Sequence, residues 1–293
     1  MLSRALLVLL LVFGAALPAD AQSRFGLRFT LADSGVLVPQ LDAAAAVVYD
    51  PASGEVLWES GGDEPRSIAS LTKMMTALVF LESGANLAEE IVIVDSDVRR
   101  SFNYWLRAGD RVTVADLLHM LLIPSDNAAA RALARTSVYG AEGFIDQMNR
   151  RAQELGLGTT VYADPSGLDR DNVSTAYDMA RLVSHVSANP TIARIMRRSE
   201  YTARPGGREV TVRSTNQLLR GGDYDVVAGK TGYIRLAGHC LATLLRLPES
   251  GEQVAVVILG APTSALRFRE ARGLYAWVQD QARGLFVAQR YLD

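Results

Sequence analysis

Strand-like runs stand near both ends of this chain, and a mostly helical stretch separates them. Alternating or apolar runs at Ala43–Tyr49 and Glu55–Glu59 flank a Pro/Gly turn, which is typical of a hairpin. Helical periodicity then dominates from Leu87 to about Ala180. The order of hairpin, helix, helical stretch and further strands suggests that the helical stretch is an insertion.

Strand patterns return beyond Pro190, and the chain closes with a helix whose apolar face runs from Ala271 to Phe286. We therefore predict an α/β (α+β) fold, with a mainly antiparallel sheet flanked by helices. An all-helical lobe, residues 87–180, follows the first helix. The later strand-like runs are Glu209–Arg213, Val226–Tyr233, His239–Leu247 and Gln253–Leu259.

The first helix carries the first candidate for chemistry. Ser70 and Lys73 stand three residues apart at its start, so their side chains are neighbours on one helix face. Free backbone N–H groups and the positive dipole end favour a developing oxyanion there. The helix itself is predicted from apolar residues at helical spacing, namely Leu71, Met74, Met75, Leu78 and Leu81.

Lysine usage distinguishes this pair from a chance occurrence. The chain has 30 Lys plus Arg, yet only Lys73 and Lys230 are lysines. Arginine is not deprotonated in proteins, whereas a lysine loses its proton when it is buried or crowded by positive charge. We therefore predict that Lys73 is the base for a Ser70 nucleophile and that Lys230 is a second cation facing it.

Two further motifs supply the remaining groups. Ser125-Asp-Asn127 follows a proline at a corner between helices, where Ser125 can relay a proton and Asn127 can hold a substrate amide. In Lys230-Thr231-Gly232, the ammonium and the hydroxyl can bind a substrate carboxylate. The edge of the same strand can hold an extended peptide by main-chain hydrogen bonds.

The three motifs, in this order, resemble those of the serine penicillin-recognising enzymes. Their context is similar to the D-alanyl-D-alanine carboxypeptidase/endopeptidase family S11, the low-molecular-mass penicillin-binding proteins, and most of all to its short endopeptidase subgroup. The stretches that carry this resemblance are Ser70–Thr76, Asp164–Asp169, Ser174–Ala180, Ser214–Asn216 and Lys230–Leu241. The resemblance implies a β-lactamase/transpeptidase-like fold and a periplasmic serine-type D-Ala-D-Ala peptidase without a cofactor.

The resemblance also implies partners and roles. Peptidoglycan stem peptides or cross-links would be substrates, and β-lactams would bind covalently. The larger family members add a C-terminal β domain and an anchor helix, whereas this sequence stops one helix after its strands, which favours endopeptidase over pure carboxypeptidase action. The implied roles are acylation at Ser70, proton acceptance by Lys73, completion of the proton path by Ser125 and Asn127, carboxylate binding by Lys230, and an oxyanion hole from the backbone N–H groups of Ser70 and Tyr233.

The N-terminus predicts the compartment. Arg4 precedes an apolar run, Ala5–Leu17, and a small-x-small pattern ends at Ala21, as in a secretory signal peptide, residues 1–21. The run is shorter than the roughly 20 residues that span a bilayer, although an uncleaved anchor is the alternative. We interpret residues 22–41 as a linker or arm and residues 42–293 as the catalytic domain.

Other function classes fit less well. The net charge of −2 gives no basic surface for nucleic acid, one cysteine permits no internal disulfide, and the three histidines have no metal-ligand spacing. A class A β-lactamase needs a glutamate base, and the loop Asp164–Asn172 has none. That enzyme and a non-catalytic cell-wall-binding protein are the alternatives.

Overall fold

The structure is a computed structural model that describes residues 26–31, 37–99, 101 and 103–290. The predicted signal peptide, with its cleavage position at Ala21, lies outside the described residues. The chain divides into two compact units: Met1–Asp42 with Arg269–Asp293, and Ala43–Phe268. All three motifs belong to the second unit.

The described strands and helices are these, in chain order. The strands are β1 Arg28–Leu31, β2 Leu37–Gln40, β3 Ala45–Asp50, β4 Glu55–Ser60, β5 Arg66–Ser67, β6 Glu90–Val92, β7 Arg111–Thr113, β8 Val173–Ser174, β9 Glu200–Ala203, β10 Val210–Arg213, β11 Val226–Ile234, β12 Gly238–Arg246 and β13 Gln253–Ala261. The helices are α1 Lys73–Glu82, α2 Asp95–Val98, α3 Val114–Leu122, α4 Asn127–Thr136, α5 Gly140–Glu154, α6 Ala176–Ser187, α7 Pro190–Met196 and α8 Ser264–Arg290.

The main sheet of the second unit joins the two ends of the sequence. Its five strands are antiparallel in the order β11-β12-β13-β3-β4, so the first hairpin pairs with the last strands. Strands β3 and β13 are buried along most of their length, which explains their nearly continuous apolar runs. The predicted antiparallel sheet with flanking helices is confirmed, and β11 is an edge strand of it.

Helix α1 lies inside the helical part of the unit. It packs against α3, α4, α5 and α6. Eight of its ten residues are buried, as expected for a helix that is apolar on all sides. The turn just before α1 packs against β11. This arrangement brings the start of a buried helix against the edge strand of the sheet.

Helices α2 to α5 form the lobe that the sequence predicted, but the lobe is not all-helical, because it also contains the β6–β7 pair. Helix α6 packs instead against β3, β12 and β13 of the main sheet. Thr113 caps α3 by accepting a hydrogen bond from the backbone N–H of Asp116. Strands return beyond Pro190, as predicted, but only from Glu200 onward, after one more helix. Asn189 caps a further helix, α7, and Pro190 occupies its first position, where a missing N–H costs nothing.

The first unit contains the described part of the predicted arm. Residues 28–31 and 37–40 pair as the antiparallel hairpin β1–β2, a regular structure that the reading as a linker or arm did not include. The backbone N–H of Asp42 donates to the buried carboxylate of Glu270 at 2.7 Å. No helix among the described residues is long and apolar enough to cross a membrane.

Candidate active site

The nucleophile candidate lies in a tight turn. Residues Ala69–Thr72 form one 3-10 turn that leads into α1. Ala69 has a φ of 47°, in the left-handed region that side chains other than glycine rarely adopt. Such strain persists only where the surroundings impose it, and it is common at functional sites. The turn presents Ser70 at the mouth of α1, with Lys73 one helical turn further on.

Lys73 is fully buried and contacts three oxygen atoms. Its Nζ donates to Ser70 Oγ at 2.9 Å, to Asn127 Oδ1 at 2.7 Å and to the Ser166 carbonyl at 2.5 Å. Burial lowers the pKa of Lys73 to about 7, although the nearby carboxylate of Asp126 opposes this shift. A large share of this amine is therefore neutral near pH 7, beside the hydroxyl of Ser70.

The second motif occupies the corner between α3 and α4. Ser125 has a φ of 69°, so it turns the chain where Pro124 has ended α3. The buried Asp126 caps α4 by accepting from the backbone N–H of Ala129 at 2.8 Å. This cap fixes the start of α4 and with it Asn127, which reaches Lys73.

The third motif lies on the edge strand β11. Lys230 is 1% exposed, and its Nζ donates to Ser125 Oγ at 2.7 Å and to the Thr231 carbonyl at 2.9 Å. Burial and the positive charges of Lys73 and Arg267 lower the pKa of Lys230 well below its ordinary value. The binding of a substrate carboxylate by Lys230 remains a prediction.

Gly232 lets β11 approach the nucleophile turn. A Cβ atom added there would lie 2.8 Å from the Ile68 carbonyl oxygen and 3.0 Å from the Ser70 backbone nitrogen. Only glycine allows this approach, which places the β11 backbone beside the Ser70 N–H. Tyr233 follows on the same strand, with its ring stacked on His239 at 4.3 Å. The assignment of the oxyanion hole to Ser70 and Tyr233 remains a prediction.

Hydrogen bonds join Lys73 with Ser70 and Asn127, and join Lys230 with Ser125. The structure adds three groups that the sequence did not select. The Ser166 carbonyl is a backbone group, which no residue type reveals. Thr215 Oγ1 lies 2.6 Å from Thr231 Oγ1. Arg267 donates to the carbonyl groups of Gly232 and Cys240. Thr215 stands in a stretch that resembled the family, so that signal was available.

Other chemistry finds no support in the described part of the chain. There, no group of three or more His, Cys, Asp and Glu side chains could hold a metal ion. Cys240 is buried, and burial raises the pKa of its thiol to about 11, which disfavours the reactive thiolate. His119 and His185 lie on α3 and α6.

Comparison with known proteins agrees with the motifs. The sequence profile of peptidase family S11, described as D-alanyl-D-alanine carboxypeptidase, matches residues 33–263. A D-alanyl-D-alanine endopeptidase of Pseudomonas aeruginosa is 33% identical over 248 residues, which is 83% of this chain and 79% of that protein. The D-alanyl-D-alanine carboxypeptidase DacC of Escherichia coli is 34% identical over 84% of this chain, but the match spans only 63% of that longer protein.

Solved structures show the same similarity. The crystal structure of a Streptomyces DD-transpeptidase superposes with a TM-score of 0.75 at 29% identity, covering 82% of this chain and 97% of that one. A D-alanyl-D-alanine carboxypeptidase from Mycobacterium tuberculosis gives a TM-score of 0.75 at 26% identity over 82% of this chain and 92% of the other. The predicted β-lactamase/transpeptidase-like fold is therefore confirmed.

Proposed function

Because this chain belongs to the D-alanyl-D-alanine carboxypeptidase family of serine peptidases, peptidase family S11, we propose that it hydrolyses D-Ala-D-Ala type bonds in peptidoglycan peptides through an acyl-enzyme on Ser70. The observation that carries the proposal is the contact of 2.9 Å between Lys73 Nζ and Ser70 Oγ inside a buried site. A serine is a weak nucleophile unless a base lies within hydrogen-bond reach.

In the acylation step, Ser70 Oγ attacks the carbonyl carbon of the penultimate D-Ala and its proton passes to Lys73 Nζ. The tetrahedral oxyanion is held by backbone N–H groups of Ser70 and Tyr233, each worth about 3 kcal/mol. The C–N bond then breaks, and Ser125 protonates the leaving amine by passing on the proton that Lys73 accepted. Water later cleaves the Ser70 ester and releases the shortened peptide.

Substrate binding uses the edge strand. The ammonium of Lys230 and the hydroxyl of Thr231 bind the carboxylate beside the scissile bond, while β11, as an edge strand of the main sheet, pairs with the peptide backbone. A cross-link between D-Ala and diaminopimelate also presents a carboxylate beside the leaving amine, so it fits the same groups. Similarity to a D-alanyl-D-alanine endopeptidase supports a preference for cross-links over pentapeptide ends.

Penicillin should also acylate Ser70, but the resulting ester should hydrolyse slowly. Its ring amide acylates Ser70, and the leaving nitrogen stays tethered, so only water can release the adduct. A β-lactamase supplies a glutamate base for that water. Here the Ser166 carbonyl faces Lys73 from the corresponding loop, and a carbonyl cannot accept a proton in this role. We therefore favour a long-lived adduct over β-lactamase activity.

The proposal places the enzyme outside the cytoplasm, because its substrates are in the cell wall. Cleavage of a signal peptide after Ala21 remains a prediction, and N-terminal sequencing of the exported protein tests it. A protein that retains Met1 would contradict cleavage.

The test of the function compares Ser70→Ala with the exposed control Ser250→Ala. Labelling by a fluorescent penicillin should vanish in the first variant and persist in the second. Digestion of cross-linked muropeptides and of free pentapeptide, side by side, then measures the substrate preference. Stoichiometric labelling of Ser70→Ala would contradict the proposal, as would rapid turnover of penicillin by the wild type. Cell-wall binding by both variants, without any hydrolysis, would favour the non-catalytic alternative.

A further inference from the structure

The direction of the Lys73 lone pair is a condition for catalysis that the three motifs alone do not meet. A neutral amine has two N–H donors and one lone pair. Of the three oxygens around Nζ, Asn127 Oδ1 and the Ser166 carbonyl only accept hydrogen bonds. When both take an N–H, the lone pair is left facing Ser70 Oγ, the only hydroxyl of the three. The Ser166 carbonyl therefore helps to orient the base.

A carboxylate holds that carbonyl in place. The peptide group that carries the Ser166 carbonyl also carries the Gly167 N–H, which donates to Asp164 Oδ1 at 2.7 Å. In a planar trans peptide the C=O and the N–H point in opposite directions. Asp164 therefore fixes one end of the peptide group, and the other end points at Lys73. Ser166 Oγ donates to the second carboxylate oxygen at 2.5 Å.

Asp164 is itself held by a buried amide. Asn172 is fully buried, and its Nδ2 donates to Asp164 Oδ1. Its Oδ1 accepts from the backbone N–H groups of Ala163 at 2.6 Å and Asp164 at 3.1 Å. The carboxylate thus lies between an anchored side chain and the peptide group that it holds, and it has little freedom to move.

The turn Asp164–Gly167 also packs closely against the turn that carries Ser70. Gly167 has a φ of +80°, and a Cβ added there would lie 2.0 Å from the Ala69 carbonyl oxygen. On the other side, Thr76 Oγ1 donates to the Pro165 carbonyl at 2.6 Å. These contacts hold the turn Asp164–Gly167 between α1 and the turn Ala69–Thr72. A shift of Asp164–Gly167 would therefore move the Ser166 carbonyl relative to Lys73.

We propose that Asp164 is a positioning residue for the peptidase reaction: it holds the Gly167 N–H, aims the Ser166 carbonyl at Lys73 Nζ, and so directs the lone pair of Lys73 toward Ser70. The proposal rests on the proposed function, because it takes Ser70 as nucleophile and Lys73 as base. Asp164 touches neither of these side chains in the hydrogen bonds described here. Its effect passes through one peptide group.

Asp164 also contributes charge, and the two contributions are separable. Burial and the positive charge of Arg131 lower the pKa of Lys73, while the negative charges of Asp126 and Asp164 raise it. The positive charge of Lys230 also faces Lys73. Removing the Asp164 charge alone should lower the pKa of Lys73 further. Moving the carboxylate without removing its charge should change only the orientation of the Ser166 carbonyl relative to Lys73 Nζ.

Two variants separate position from charge, and a third is the control. Asp164→Asn keeps an oxygen for the Gly167 N–H and removes the charge. Asp164→Glu keeps the charge and moves the oxygens by one methylene. Asp169→Ala removes an exposed carboxylate of the same loop that accepts from the Asp171 N–H. The measured quantity is the first-order acylation rate at saturating fluorescent penicillin, followed over pH. This rate constant does not depend on the folded fraction of the sample.

We expect Asp164→Glu to acylate roughly 10-fold to 100-fold more slowly at its plateau, with an unchanged dissociation constant for the non-covalent complex, since small misplacements of a base cost that much. Asp164→Asn should keep its plateau within a few-fold and move the acid limb of the profile to lower pH. Asp169→Ala should change neither. A wild-type plateau rate in Asp164→Glu would overturn the proposal. A rise in the dissociation constant of the non-covalent penicillin complex as large as the fall in rate would also overturn it. Loss of labelling in Ser70→Ala tests the proposed function separately.

Discussion

The two lysines of this chain are both buried, yet their surroundings differ in kind. Lys73 lies on a helix, and three oxygens of the chain surround its amine. Lys230 lies on the edge strand, where a hydroxyl and a carbonyl accept from it and the charges that lower its pKa are cationic. Carboxylates near Lys73 offset part of its burial cost, whereas burial and two neighbouring cations lower the pKa of Lys230.

This difference fits the two tasks that we propose for the two lysines. Lys73 has its hydrogen-bond partners inside the fold, so it can lose a proton without losing its position. Among the described residues, Lys230 hydrogen-bonds to a hydroxyl and a carbonyl but to no carboxylate, and the proposal is that an anionic substrate completes its environment. The first task requires that a proton can leave, and the second requires only a positive charge. Arginine can meet the second requirement but not the first.

The largest effect should come from changing the chemistry of Lys73. Lys73→Arg and Lys73→Ala should both slow acylation by about a thousandfold, because neither side chain can act as a general base. Stopped-flow labelling with a fluorescent penicillin measures both. An arginine variant within tenfold of the wild type would remove the distinction between the two lysines.

A smaller loss should follow substitution of Lys230. Lys230→Ala should lower kcat/KM for a peptide with a free carboxylate by about 100-fold, since a charge partner of the substrate is lost. Lys230→Arg should retain more activity, because the charge remains. The control is a substrate with an amidated C-terminus, toward which the wild type and Lys230→Ala should differ little. Equal losses on both substrates would argue against carboxylate binding.

The pH dependence should show both lysines at once. Acylation needs neutral Lys73, so the rate should rise through pH 7 and fall about tenfold between pH 6 and pH 5. The rate should decline again at alkaline pH, below the range of an ordinary lysine, as Lys230 loses its charge. A flat profile between pH 5 and pH 9 would contradict the assigned roles.

The smallest effect should be on stability. Lys73 has a pKa of about 7 in the folded protein against 10.5 when exposed, so the unfolded chain binds the additional proton between these values. This group therefore destabilises the fold most below pH 7, and the penalty fades as pH rises toward 10.5. Lys73→Met should raise the free energy of unfolding by about 1 kcal/mol or more at pH 7. Urea titrations at several pH values measure the difference in the free energy of unfolding between Lys73→Met and the wild type. A difference that grows as the pH rises would contradict this prediction.

Much of the fold could be predicted from the periodicity of apolar residues and from capping and helix-ending residues. Thr113 and a following proline bound α3 because capping and proline chemistry act locally. The two lysines indicated the site because few residue types can act as a base. These signals depend on side-chain chemistry, which a sequence states directly.

The rest depends on the backbone. The left-handed conformations of Ala69 and Ser125 are imposed by tertiary packing, and neither residue type favours them. The Ser166 carbonyl acts through a group that every residue has. Helix α7 begins at Pro190, beyond which the sequence indicated strands, since proline suits a first helical position as well as an interruption.

The most direct test uses the low lysine count. A protein with isotope-labelled lysine should give two side-chain signals by nuclear magnetic resonance, because only Lys73 and Lys230 carry the label. The Lys73→Arg variant assigns them by removing one signal. We expect the Lys73 signal to titrate with a midpoint about 7. A midpoint at or above the ordinary lysine value of 10.5 would contradict a neutral amine beside Ser70.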